Sequence, residues 1–99
     1  MKFSYKLYHN GNDVLLAISD SDIVGKTFEE GDFFITVTED FYGGKDCDDE
    51  KAVDLIKSST IVNAIGNKIV NLLVKEKFID NASVLVISGV PHVQIVTMN

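Results

Sequence analysis

The chain has 99 residues, 45% of them apolar, which supplies one continuous core and not two, so residues 1–99 read as a single globular domain. Its nine basic residues are all Lys, set against fifteen acidic ones for a net charge of -6. With no guanidinium to fork onto guanine or phosphate, and the wrong sign for a polyanion, direct sequence-specific nucleic-acid binding is poorly provisioned. The lone Cys47 forms no internal disulfide, no segment after Met1 looks like a secretion signal, and the longest apolar runs fall far short of the roughly 20 residues of a membrane helix. A cytoplasmic protein without membrane contact is expected.

Phe3, Tyr5 and Leu7 alternate with Ser4, Lys6 and Tyr8, so Lys2 to His9 reads as a strand with one buried face. The turn formers Asn10-Gly11-Asn12-Asp13 lead into the apolar stretch Val14 to Ile18, together a β-hairpin. Ser19 to Asp32, acidic and carrying Gly25 and Gly31, reads as a structured loop pinned by Ile23, Val24 and Phe28, and Phe33 to Thr38 as a third strand. Glu39 to Glu50 reads as a solvated loop whose last residues, Asp48, Asp49 and Glu50, open a helix. The apolar spacing from Asp48 to Lys77 is helical, with Ser58-Ser59-Thr60 interrupting it. Within it, Gly66 marks a place where a missing side chain lets another element approach. Val84 to Ser88 and His92 to Thr97 are β-branched strands on either side of Gly89-Val90-Pro91. The order β-β-β-α-α-β-β predicts an α+β fold: an antiparallel or mixed sheet of about five strands with two helices on one face. Residues 1–50 are strongly acidic and residues 51–99 slightly basic, so the acidic loops suit a basic partner surface.

Most motif-like stretches have ordinary readings. Gly25-Lys26-Thr27 resembles the end of a phosphate loop, but Asp20 stands where its first glycine is needed and no helix is expected downstream. Asp20-Ser21-Asp22 resembles the start of a calcium loop, but Val24 and Gly31 occupy ligand positions, so Asp20 or Asp22 reads as a cap. Asp46-Cys47-Asp48-Asp49-Glu50 lacks a spaced His or Cys and reads as a solvated helix start. No metal site and no cofactor is expected.

Two stretches stand apart. In Phe41-Tyr42-Gly43-Gly44, two aromatics precede two glycines in a polar loop; Phe41 reads as a core plug, and Tyr42 equally as core or as a recognition group. Pro91-His92-Val93-Gln94 holds the chain's only Pro and only Gln, with His92 and Gln94 on the same side of a strand. His92 reads equally as a functional imidazole and as a strand residue bonded to backbone.

With Asp20, Gly25, Phe41-Tyr42-Gly43-Gly44, Asn63, Gly66 and Gly89-Val90-Pro91-His92-x-Gln94 in view, the sequence resembles the archaeal family called domain of unknown function 424 over nearly the whole chain. Val93 stands where the family pattern has a small residue. The resemblance implies an archaeal cytoplasmic protein and brings no activity, cofactor or catalytic residue with it.

Two functions follow from the residues. The first is a non-catalytic interaction module using Tyr42, Gly43 and Gly44 with Pro91, His92 and Gln94, and with Asn63 among its binding residues; its partner is a protein or an RNA–protein assembly. The alternative is a small enzyme with His92 as general acid or base, assisted by Tyr42 and either Asp20 or Asp40. Consecutive Phe33 and Phe34 point to opposite sides of their strand, which suggests a homodimer.

Overall fold

The computed structural model of the chain describes residues 2–79 and 82–96. The Asn-Gly turn joins β1 (Phe3–Asn10) to β2 (Asp13–Asp20) in an antiparallel hairpin. The main sheet is built outward from this pair. β6 (Ile61–Ile65) lies parallel to β2, followed across the sheet by β8 (Val90–Val96) and β7 (Ala82–Ile87), while β5 (Lys45–Cys47) pairs with the start of β1. The result is a mixed six-strand sheet of order β5-β1-β2-β6-β8-β7, with β3 (Thr27–Glu30) and β4 (Phe33–Thr36) as a separate two-strand sheet.

The expected α+β architecture is present, with both longer helices on one face. Strand alternation sends Phe3, Tyr5, Leu16, Ile18, Val62, Ala64, Val93 and Ile95 to that face. There they meet Ala52, Leu55 and Ile56 of α2 (Asp49–Lys57) and Ile69, Leu72 and Leu73 of α3 (Asn67–Lys75). The opposite face carries a smaller cluster of Ala17, Val37, Tyr42 and Ile65, packed by Phe28 and Ile35 of the β3–β4 hairpin. Among the described residues no helix is long and apolar enough to cross a membrane.

Several elements differ from those the sequence suggests. Ile61–Ile65 is a central strand rather than the start of a second helix, because I-V-N-A-I is a short β-branched run whose two faces are both covered. The stretch Ser19 to Asp32 is not a loop: it holds the end of β2, a single 3-10 turn (Ser21–Ile23) and β3. The segment Phe33 to Thr38 contributes β4 to the small sheet, not to the main one. The expected loop from Glu39 contains the one-turn helix α1 (Glu39–Tyr42) and β5. The last strand starts at Val90, two residues before His92, since the turn is made by Ser88 and Gly89 alone; its expected end at Thr97 lies outside the described residues.

Candidate functional site

Three of the residues singled out by chemistry, Tyr42, Asn63 and His92, meet on the sheet face away from α2 and α3. Val62 and Ala64 face the helices, so Asn63 between them faces the other way, in a row with Ala17 on β2, Gln94 on β8 and Ser83 on β7. His92 occupies the neighbouring row, between Ile65 and Leu85.

Tyr42 reaches this point because α1 is short and firmly held. The Thr38 hydroxyl caps it by accepting from the Phe41 amide at 3.2 Å, and the Ser4 hydroxyl donates to the Tyr42 carbonyl at 3.1 Å. Phe41 stacks on Tyr8, with ring centroids 5.4 Å apart, and meets Tyr42 edge to face at 4.8 Å. Tyr8 closes the arrangement by donating to the Phe41 carbonyl at 2.9 Å. Gly43 ends the turn; a Cβ there would meet Glu39 Cγ at 2.6 Å and the Glu39 carbonyl oxygen at 2.7 Å. Tyr42 is thereby buried with its hydroxyl aimed at β6.

That hydroxyl donates to Asn63 Oδ1 at 2.9 Å, and Nε2 of His92 lies 2.6 Å from the same oxygen. An amide oxygen only accepts, so Nε2 carries the proton and Nδ1 of the neutral ring is an acceptor. Burial supports both protonation states: it holds the His92 pKa below its ordinary 6.5 and pushes the Tyr42 phenol up to about 12. Tyr42 is therefore a donor, and His92 is neutral.

Beyond His92 lies a shallow concavity of about 230 Å³, lined by Ser83, Val84, Leu85, His92 and Gln94. Gly43 and Gly44 belong elsewhere, in the wall of a groove of about 630 Å³ along the open part of β1 with Lys6, His9, Asp40 and Lys45. The sequence grouping is thus divided: the structure brings Tyr42, Asn63, His92 and Gln94 to one face and puts the two glycines at the β1 edge. Pro91 turns toward the helix side of β8, and its carbonyl accepts from the Gly66 amide at 3.0 Å.

Neither carboxylate suggested as an assistant to His92 is bonded to it. Asp20 lies on the helix side, where Oδ2 accepts from the Lys68 amide at 2.9 Å and Oδ1 from the Ile69 amide at 2.8 Å. Asp40 is exposed, and its backbone carbonyl accepts from Lys6 Nζ and the Tyr8 hydroxyl. Tyr8 is the participant that sequence reading missed; its place on the outward side of the first strand, beside Lys6, was the available signal. Cys47 is buried among apolar side chains, and among the described residues no three His, Cys, Asp or Glu side chains gather as a metal would require.

A family model described as "Protein of unknown function (DUF424)" matches residues 8–98. No curated protein matches the chain. The crystal structure of an uncharacterized conserved protein from Methanopyrus kandleri is similar in fold, with a TM-score of 0.75 at 24% sequence identity, over 98% of this chain and 94% of that one.

Proposed function

The chain belongs to the DUF424 family of proteins of unknown function, and we propose that it acts as a non-catalytic binding module whose recognition groups are His92 and Gln94. The observation that carries this reading is the single oxygen, Asn63 Oδ1, that accepts from both Tyr42 and His92. Two donors on one acceptor fix the imidazole in one orientation and one tautomer. The ring, with Nδ1 left as its acceptor, lines the concavity together with Gln94, Val84 and Leu85, and a group ordered before binding loses little entropy on binding.

The same oxygen argues against proton transfer. Nε2 faces an amide that takes no proton near neutral pH, and among the described residues no carboxylate is bonded to the ring. The concavity of about 230 Å³ falls below the ~300–1,000 Å³ of ordinary small-molecule pockets and suits one protruding side chain. The partner that fits is a protein, or the protein surface of an RNA–protein assembly. It would carry a donor for Nδ1 and basic residues to meet the acidic loops of residues 1–50.

The test is capture from a native lysate with wild-type protein beside His92→Ala/Gln94→Ala, both shown to be folded. A partner held by wild type and lost by the variant supports the reading, and equal retention by both ends it. Tyr42 stays intact in this experiment because its loss would disturb the core as well as the site.

A further inference from the structure

The main sheet has two edges, and they are built in opposite ways. β5 closes one with three residues, of which Lys45 and Asp46 are charged and exposed. Short charged edges keep foreign strands away. β7 closes the other with six residues, and Ser83 to Ile87 contain no charge and no proline. Its register with β8 runs without a bulge from Ala82↔Ile95 to Ile87↔Val90. Val84, Leu85 and Val86 are 53%, 48% and 51% exposed, so both faces of this edge are only half covered.

The β3–β4 hairpin extends the apolar surface. Its turn end is fastened to the β7–β8 turn, where the Ser88 amide donates to Glu30 Oε1 at 2.9 Å and the Ser88 hydroxyl to the Glu29 carbonyl. β4 packs beside β7, and its Phe33 and Phe34 are 66% and 70% exposed.

We propose that β7 pairs antiparallel with β7 of a second copy about a two-fold axis, joining the two sheets edge to edge. Three features select a second copy. First, Val84-Leu85-Val86 reads the same in both directions, so an axis beside Leu85 sets Leu85 opposite its own copy and Val84 opposite Val86 on each side. Second, the exposed parts of Phe33, Phe34, Val84, Leu85 and Val86 amount to on the order of 500 Å² per copy, so complete burial in both copies would remove at most about 1,000 Å², the level at which specific interfaces begin. Third, the arrangement keeps the acidic hairpin tips of the two copies apart. Glu29, Glu30 and Asp32 cluster at the hairpin tip, beside the C-terminal end of β7. Antiparallel pairing sends the two tips to opposite ends of a six-residue strand, about 20 Å apart and well beyond a Debye length of about 8 Å. The pairing does not call on His92, but Val84 and Leu85 serve both readings, since they also wall the concavity beside His92.

Light scattering coupled to size exclusion, from low to high micromolar concentration, tests the proposal. Amide exchange of β7 is measured at both ends of the range. The expected result is a mass approaching twice the 10.9 kDa of the chain, with β7 amides exchanging more slowly as concentration rises. Leu85→Lys and Phe33→Ser/Phe34→Ser should each weaken association by about tenfold or more. A monomer at every concentration overturns the proposal and points to a strand of another protein as occupant. So does a dimer that neither variant weakens. If Leu85→Lys fails to fold, the phenylalanine variant and wild-type β7 exchange decide alone.

Discussion

Asp20 and Gly66 are packed so closely that a Cβ on the glycine would sit 2.4 Å from the Asp20 carboxyl carbon. The contact joins the end of β2 to the start of α3, because the Asp20 oxygens accept from the Lys68 and Ile69 amides in the first turn of that helix. Gly66 also has φ of 123°, a conformation that side chains rarely adopt. Gly66→Ala combines backbone strain with a forced displacement of the carboxylate and should cost about 3 kcal/mol or more. Asp20→Ala leaves two helix amides without their acceptor and should cost about 2 kcal/mol. Urea unfolding measures both; a loss below about 1 kcal/mol for Gly66→Ala would mean that the contact is not a constraint.

This contact shows what the sequence discloses and what it withholds. Gly66 is legible as a point of close approach, and Asp20 as a cap, yet nothing local says that each is the other's neighbour across more than forty residues. The first hairpin is legible because its alternation and its Asn-Gly turn agree. β6 is not, because five apolar residues with one Asn fit a helix as well as a buried strand, and the choice is made by β2 and β8 on either side of it. The site divides in the same way. Tyr42 and His92 stand out by composition, whereas the amide linking them, Asn63, gains its role only when strand pairing carries it to both.

Burial holds the His92 pKa below 6.5, which ties stability to pH with a definite sign. The unfolded chain binds a proton at this residue below about 6.5 while the folded chain resists it, so over that window the unfolded state holds more protons. The contribution is complete above about 6.5 and is lost as pH falls toward the lowered folded value. Wild-type stability should therefore fall more steeply from about pH 7 to about pH 5 than that of His92→Gln, which has no imidazole to charge. Equal slopes in urea titrations of the two proteins would contradict the assignment, and the ring resonances of His92 in a proton NMR titration should report a midpoint below 6.5.

Cys47 is sealed between β1 and α2, and its thiol pKa is pushed up to about 11, first by burial and then by the charge of Asp48. A rise of about two units lowers the thiolate fraction about a hundredfold at any pH below the ordinary thiol value. Alkylation by iodoacetamide in the folded protein should be slower than in denaturant by about that factor or more. Rapid labelling under native conditions would show that this corner opens readily.

The energetic weight of the Tyr42–Asn63–His92 arrangement can be separated by a double-mutant cycle. Asn63→Ala removes the acceptor of two donors at once, one of them the hydroxyl of a buried tyrosine, and should cost about 3 kcal/mol. Tyr42→Phe removes one donor and leaves Asn63 Oδ1 with His92, so it should cost only about 1 kcal/mol. Once Asn63 is gone the Tyr42 hydroxyl has lost its acceptor. Adding Tyr42→Phe to Asn63→Ala should then be neutral or stabilising, giving a coupling of about 1 to 2 kcal/mol. The cycle also separates a site from simple packing. If the ring of Tyr42 contributes only as an apolar plug, the two substitutions add and the coupling vanishes. If the shared oxygen sets the imidazole, the same Asn63→Ala variant releases His92 and broadens or shifts its NMR resonances, while Tyr42→Phe leaves them nearly in place.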